Sequence, residues 1–127
     1  MIKKLFTNDL YVKVGENIFE AKNISTNGDW ESISSEFPFT TERLLVGTFS
    51  TAEPTLAKLI KRILPKALFA KRPQILVHPT SRVEGGLSEV EDRIFRELAL
   101  GAGAIKVALH VGSELTDGEV VEMIKNA

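Results

Sequence analysis

Cysteine is absent from this 127-residue chain, which excludes disulfides and thiolate chemistry and suits a reducing compartment. An excess of one charge is missing too. Sixteen Lys and Arg against seventeen Asp and Glu leave a formal net charge of −1, so no global field draws the chain to nucleic acid or to an anionic membrane. No apolar run approaches the roughly eighteen residues that cross a bilayer. The start, Met1-Ile2-Lys3-Lys4-Leu5-Phe6, has the basic flavour of a signal peptide, but Asn8 and Asp9 interrupt it at once. A soluble, cytoplasmic chain is therefore expected. Ile2, Leu5 and Phe6 read as a strand lead-in; beside Lys3 and Lys4 they suit at most a weak membrane contact. Internal repeats and low-complexity tracts are lacking. What is present, 43% apolar residues over 127, predicts one globular domain spanning residues 1–127.

Turn and periodicity signals divide that domain. Leu10-Tyr11-Val12-Lys13-Val14 and Ile18-Phe19-Glu20-Ala21 flank Gly15-Glu16-Asn17 and read as a hairpin. Residues 23–43 are polar, carry Asn27-Gly28-Asp29 and Pro38, and read as an irregular loop anchored by Trp30, with room for only a short strand. Leu44–Phe49 is the expected third strand. Ser50 or Thr51 caps a helix, with Pro54 tolerated in its first turn. Leu56, Leu59, Ile60, Ile63 and Leu64 form its buried face. Lys58, Lys61 and Arg62, with Lys66, Lys71 and Arg72, give a basic patch on the other side, most simply a solvated helix face. Gln74–His78 reads as a buried parallel strand. A loop from Thr80 to Leu87 leads to a capping box, Ser88 with Glu91, and to a helix with Leu87, Val90, Ile94 and Leu98 inward. Gly101 and Gly103 end it. Lys106–Val111 is the last strand. A second capping box, Thr116 with Glu119, opens a helix lined by Val120, Val121, Met123 and Ile124. The fold class is α/β, in the order β-β-β-α-β-α-β-α. This is the order of a ribonuclease-H-like mixed sheet, with the 10–14 strand central and parallel to 75–78 and 106–111.

Leu45-Val46-Gly47-Thr48-Phe49 with Thr51, Glu53 and Leu56, then Ile75-Leu76-Val77-His78-Pro79, then Glu91, Arg93, Arg96 and Glu97 before Gly101-Ala102-Gly103-Ala104 together resemble the first half of MreB-type bacterial actins, the rod-shape proteins. The opening Lys3-Lys4 and Asn8-Asp9-Leu10 are similar as well. The likeness covers most of the chain except 23–43, where that family inserts a subdomain. It implies an actin-like ATPase half and a role in cell shape, septation or the bacterial cytoskeleton.

The departures from the family imply a non-catalytic member. Its first phosphate loop, Asp-Leu-Gly-Thr, aligns with Lys13-Val14-Gly15-Glu16, which puts an ammonium where a Mg²⁺-nucleotide would sit. Its Ala-Asp-Phe aligns with Gly47-Thr48-Phe49, and its Glu-Glu-Pro with Val111-Gly112-Ser113. No second phosphate loop follows within the 127 residues. ATP hydrolysis is not expected. Two-metal nuclease chemistry is not expected either, because Lys13 and His78 stand where converging carboxylates would be needed. No catalytic residue, cofactor or metal is assigned.

Other chemistry is thin. His78 and His110 end neighbouring strands, but no third ligand stands at a helpful spacing, so hydrogen-bonded core histidines are expected. Thr80-Ser81 lacks the glycine-flanked elbow of a serine hydrolase. The turn and loops at the ends of the parallel strands should open on one edge of the sheet. Glu16, Asn17, Ser81, Arg82, Glu84, Ser113, Glu114 and Asp117 form the expected interaction rim. Its polarity suits a partner protein with basic residues and a monomer or weak dimer, not nucleic acid. The reading is an MreB-like protein-interaction domain; the alternative is a STAS-like regulatory α/β module, which would not begin with three antiparallel strands. An actin-like enzyme completed by a second chain would need that chain to supply the missing acids.

Overall fold

The structure, a computed structural model, describes residues 8–66 and 72–127; the expectations for Ile2, Leu5, Phe6 and Lys71 lie outside them. Among the described residues five strands and three helices follow in the order β1 (Asp9–Gly15), β2 (Ile18–Asn23), β3 (Glu31–Ser34), α1 (Phe49–Ile63), β4 (Gln74–Pro79), α2 (Glu89–Gly101), β5 (Lys106–Leu109) and α3 (Asp117–Lys125). They make a small α/β domain around one mixed sheet, ordered β3-β2-β1-β4-β5. β1 pairs antiparallel with β2 and parallel with β4, which runs parallel to β5. β1 is thus interior and shares its direction with both later strands.

Alternation along β1 sends its side chains to two unequal cores. Leu10, Val12 and Val14 join Phe19, Ala21, Ile75 and Val77 beneath α1 and α2 in the larger core. Tyr11 turns the other way, toward Leu76, Ala108, Val120 and Ile124 under α3. Among the described residues α3 packs on β4, β5 and β1, and none of their helices lies over the β2–β3 half of that face. Glu20, Ser32 and Ser34 stand exposed there.

The third strand is not Leu44–Phe49 but Glu31–Ser34, inside the stretch expected to be an irregular loop. It pairs Phe19 with Ile33 and Ala21 with Glu31. An edge strand with one partner and one covered side chain needs little apolar content, so its pattern gives no signal. Leu45 and Val46 are only 3% exposed because a tight loop, not a strand, presses them into the core. Thr41 N donates to Leu44 O at 2.9 Å, and Gly47 N and Thr48 N both donate to Phe39 O at 2.9 Å. A Cβ at Gly47 would fall on the Thr41 side chain.

The helices follow their signals with corrections, one of them at Val121, which was expected to line α3 and is 39% exposed. α1 starts at Phe49 with Thr48 as N-cap and no side-chain cap, so neither Ser50 nor Thr51 caps it and Pro54 lies inside it beyond the first turn. Thr48 O takes over as acceptor for Thr51 N and Ala52 N. Both predicted capping boxes are formed, Ser88 with Glu91 and Thr116 with Glu119. α2 buries Phe95, Leu98 and Ala99, whereas Val90 is 64% exposed. Within the helix the inward stripe begins at Ile94, about one turn later than the sequence suggested, while Leu87 before the helix packs on the same core. Arg72 leaves the expected basic patch to donate to Gly103 O at 3.2 Å and Ala104 O at 2.9 Å, closing carbonyls past the end of α2.

Candidate functional site: the rim of the parallel strands

Because β1, β4 and β5 run the same way, the loops after them leave the sheet at one end. Glu16 is exposed in the β1–β2 turn. Arg82 reaches it from the β4–α2 loop, Nη2 to Oε1 at 3.0 Å, and its other amino group donates to Thr41 O and, at 3.2 Å, to Glu42 O. One guanidinium fork therefore ties three loops together. Ser81 is half-buried beside it, and Glu84 is exposed in the same loop.

Asn17 belongs to the scaffold rather than to a contact surface. It sits at φ 59°, a left-handed conformation that Asn tolerates better than most residues. Its side-chain oxygen accepts from Phe39 N at 2.9 Å and Thr40 N at 2.8 Å, while its own N–H donates to Thr40 Oγ1 at 3.0 Å.

The second part of the rim is the β5–α3 loop. Glu114 pairs with Lys13 of β1, and the Lys13 ammonium holds its carboxyl below the usual carboxylate range. Asp117, first residue of α3, pairs with Lys22 of β2 at 2.7 Å. Ser113 contributes its carbonyl, which accepts from His110 Nε2 at 2.8 Å. The eight rim residues thus fall into two groups, Glu16-Ser81-Arg82-Glu84 and Ser113-Glu114-Asp117, with Asn17 beneath the first. Three of the four acids already have a cation of the same chain against them.

Under the second group lies the expected hydrogen-bonded core histidine, His78, with His110 only half-buried beside it; local patterns did not reveal its partners. His78, 3% exposed, accepts or donates at both ring nitrogens: Nδ1 lies 2.8 Å from Tyr11 Oη and Nε2 lies 2.8 Å from Gly112 O. Its ring stacks on Tyr11, centroids 5.9 Å apart, and meets the edge of His110 at 4.8 Å. Tyr11 also packs on Trp30 at 5.1 Å, and the Lys13 and Lys22 ammoniums lie 4.5 and 5.0 Å from the Trp30 centroid. Burial first, then the nearby positive charge of His110 and Lys13, push the His78 pKa down. The signal was available only as parity, since Tyr11 and Lys13 share a face and His78 pairs with Lys13 in register. Registers between strands so far apart in the chain are not written in local composition.

Among the described residues no group of three His, Cys, Asp or Glu side chains is placed to hold a metal. At the opposite end of the sheet a cleft of about 620 Å³ runs along α3, between Asp9, Ile24, Gln74, Lys106 and Lys125; Asp117 lines it too, so this expected rim residue faces the cleft as well. Burial raises the Asp9 carboxyl pKa, against a hydrogen bond from Gln74 and the charge of Lys106. No helix among the described residues is long and apolar enough to cross a membrane.

No protein-family model matches the chain. It is similar to a protein of Escherichia coli (strain K12) named "Uncharacterized protein YjaA", 30% identical over 125 residues that cover 91% of this chain and 96% of the relative. With that identity sustained over nearly the whole of both sequences, the chain belongs to the YjaA family.

Proposed function

We propose that this domain is a non-catalytic binding module that contacts another protein in the cytoplasm through the rim of its parallel strands. The observation that carries the reading is the cross-tying of that rim. The Arg82 fork ties three loops to one another, and the Lys13–Glu114 pair and the His78–Gly112 bond tie the fourth, the β5–α3 loop, to the sheet beside them. A preorganised polar surface loses little conformational freedom on binding, which favours recognition. Chemistry has less to build on, because Lys13 occupies the central strand and most rim acids are engaged by cations.

The ribonuclease-H-like assignment and the MreB-like lineage belong to the same proposal. They are supported by an interior β1, antiparallel to β2 and parallel to β4, and by the residues quoted above, although the third strand stands elsewhere than the resemblance suggested. On that lineage the partner belongs to a shape or septation complex. Three consecutive antiparallel-paired strands at the start weigh against a STAS-like module.

Glu84 offers a clean probe, since no ion pair described here depends on it. The immobilised domain, its Glu84→Lys variant and its Lys58→Glu variant are to be compared for capture of proteins from the native host. Loss of a specific chain with Glu84→Lys and its retention with Lys58→Glu is the expected result. Retention with Glu84→Lys and loss with Lys58→Glu moves the contact to the basic side of α1.

A further inference from the structure

The proton positions around His78 are determined by chemistry alone. Gly112 O can only accept, so Nε2 carries a hydrogen and donates it. Leu115 N lies 3.1 Å from Tyr11 Oη and can only donate to it. In the neutral ring Nδ1 is an acceptor, and the tyrosine hydroxyl supplies its hydrogen. The resulting chain runs Leu115 N–H to Tyr11 O–H to His78 Nδ1, with His78 Nε2–H to Gly112 O. Every donor in it has an acceptor, and its two ends are the two ends of the β5–α3 loop.

A proton on Nδ1 breaks this arrangement. Both ring nitrogens become donors, and Tyr11 Oη must then accept from His78 as well as from Leu115. The hydroxyl hydrogen loses its acceptor in a buried place, which is costly. The groups around the ring act in both directions: the bond to Gly112 O favours a positive ring, but burial and the positive charges nearby outweigh it. Lys13 on β1 and His110 after β5 oppose a positive ring; Glu114 in the loop favours it but is already held by Lys13. From α3, Glu119 acts on His110 and Asp117 is paired with Lys22.

We infer that the β5–α3 loop is a proton-released latch: protonation of His78 frees residues 111–115 from the sheet and uncovers Lys13 and Tyr11. The depressed pKa of His78 agrees in sign, because a ring that resists protonation in the closed loop is protonated more readily in the open one. As a regulator of the rim the latch rests on the binding reading above, but its test involves no partner, so the two can fail separately.

The test uses the ¹⁵N-labelled full chain between about pH 7.5 and about pH 5, the range in which histidine titrates. The imidazole nitrogens of His78 and His110 and the amide-exchange protection of Gly112, Ser113 and Leu115 are followed together. Protection at Leu115 should fall with the midpoint of His78, by about tenfold for each unit by which the closed loop depresses its pKa. His110→Gln should keep this behaviour, and His78→Gln should flatten it. Tyr11→Phe should leave Leu115 unprotected throughout the range. If His78→Gln does not fold, coincidence of the two midpoints in the wild type and in His110→Gln decides the matter. Loop protection that survives titration of His78, that follows His110 instead, or that persists over a ring still neutral at the acid end overturns the latch.

Discussion

Asn17 and Tyr11 show how much of this fold hangs on single polar side chains. Asn17 closes the β1–β2 turn in a left-handed conformation and accepts two backbone hydrogen bonds from residues 39 and 40. Asn17→Ala should destabilise the domain by about 1–3 kcal/mol, since it strains the turn and leaves buried N–H groups without partners. Urea unfolding measures this directly, and a change below experimental error would contradict the role. Tyr11→Phe should cost a similar amount, about 1–3 kcal/mol, by orphaning Leu115 N–H and His78 Nδ1. His78 gives the stability a pH dependence of definite sign. Its folded pKa lies below the unfolded value of 6.5. Above that value both states are neutral and the contribution is fully present. As pH falls below it, the unfolded chain binds a proton that the folded one resists, and stability is lost until pH passes the folded pKa. Denaturation curves across this window should show the loss in the wild type and a flatter profile in His78→Gln.

At the scale of elements, the sequence was most legible where structure is local. Ser88 and Thr116 announce α2 and α3 because a capping box is complete within four residues, and both boxes are formed. Thr116→Ala should cost about 1 kcal/mol and, by fraying the start of α3, should weaken the Asp117–Lys22 pair; thermal melts and helical circular dichroism check it. The hairpin at Gly15–Asn17 and the apolar runs of β4 and β5 were legible for the same reason. β3 was not. Glu31-Ser32-Ile33-Ser34 is a strand only because β2 offers it an edge, whereas the more apolar Leu45-Val46 is buried in a loop. Hydrophobicity reports burial, and burial need not mean a strand. Gly101 is a second lesson of this kind. It is the last residue inside α2, with Ala102 as C-cap and the positive φ at Gly103, and a Cβ there would fall on the Glu53 carboxylate of α1, a contact between helices that no local window contains.

For the molecule as a whole, the rim was half legible. Chain direction was enough to gather the turn and two loops at one end of the sheet, and they do gather there. Their cross-ties were not foreseeable, because Arg82 and Glu16, or Lys13 and Glu114, meet only through the parallel register of β1 with β4 and β5. Those ties change what the rim is. Among the described residues, four acids that read as an open negative surface become three internal ion pairs, with only Glu84 outside them, so an attraction for a strongly basic partner is weaker than composition implied. Surface pairs of this exposure contribute little to stability, about 0–1 kcal/mol each, and their effect is to fix loop geometry.

The claim at the centre of this account is that the domain binds without catalysing. Lys13 is on the interior strand with Glu114 against it, where the resemblance to bacterial actins would place the acid beside a metal-nucleotide. Isothermal calorimetric titration of the full chain with Mg²⁺-ATP, combined with a phosphate-release assay, addresses that claim most directly. The account predicts no binding tighter than about millimolar, which is roughly 4 kcal/mol, and no release of phosphate above the uncatalysed rate. Micromolar affinity, or turnover that Lys13→Ala changes, would contradict it.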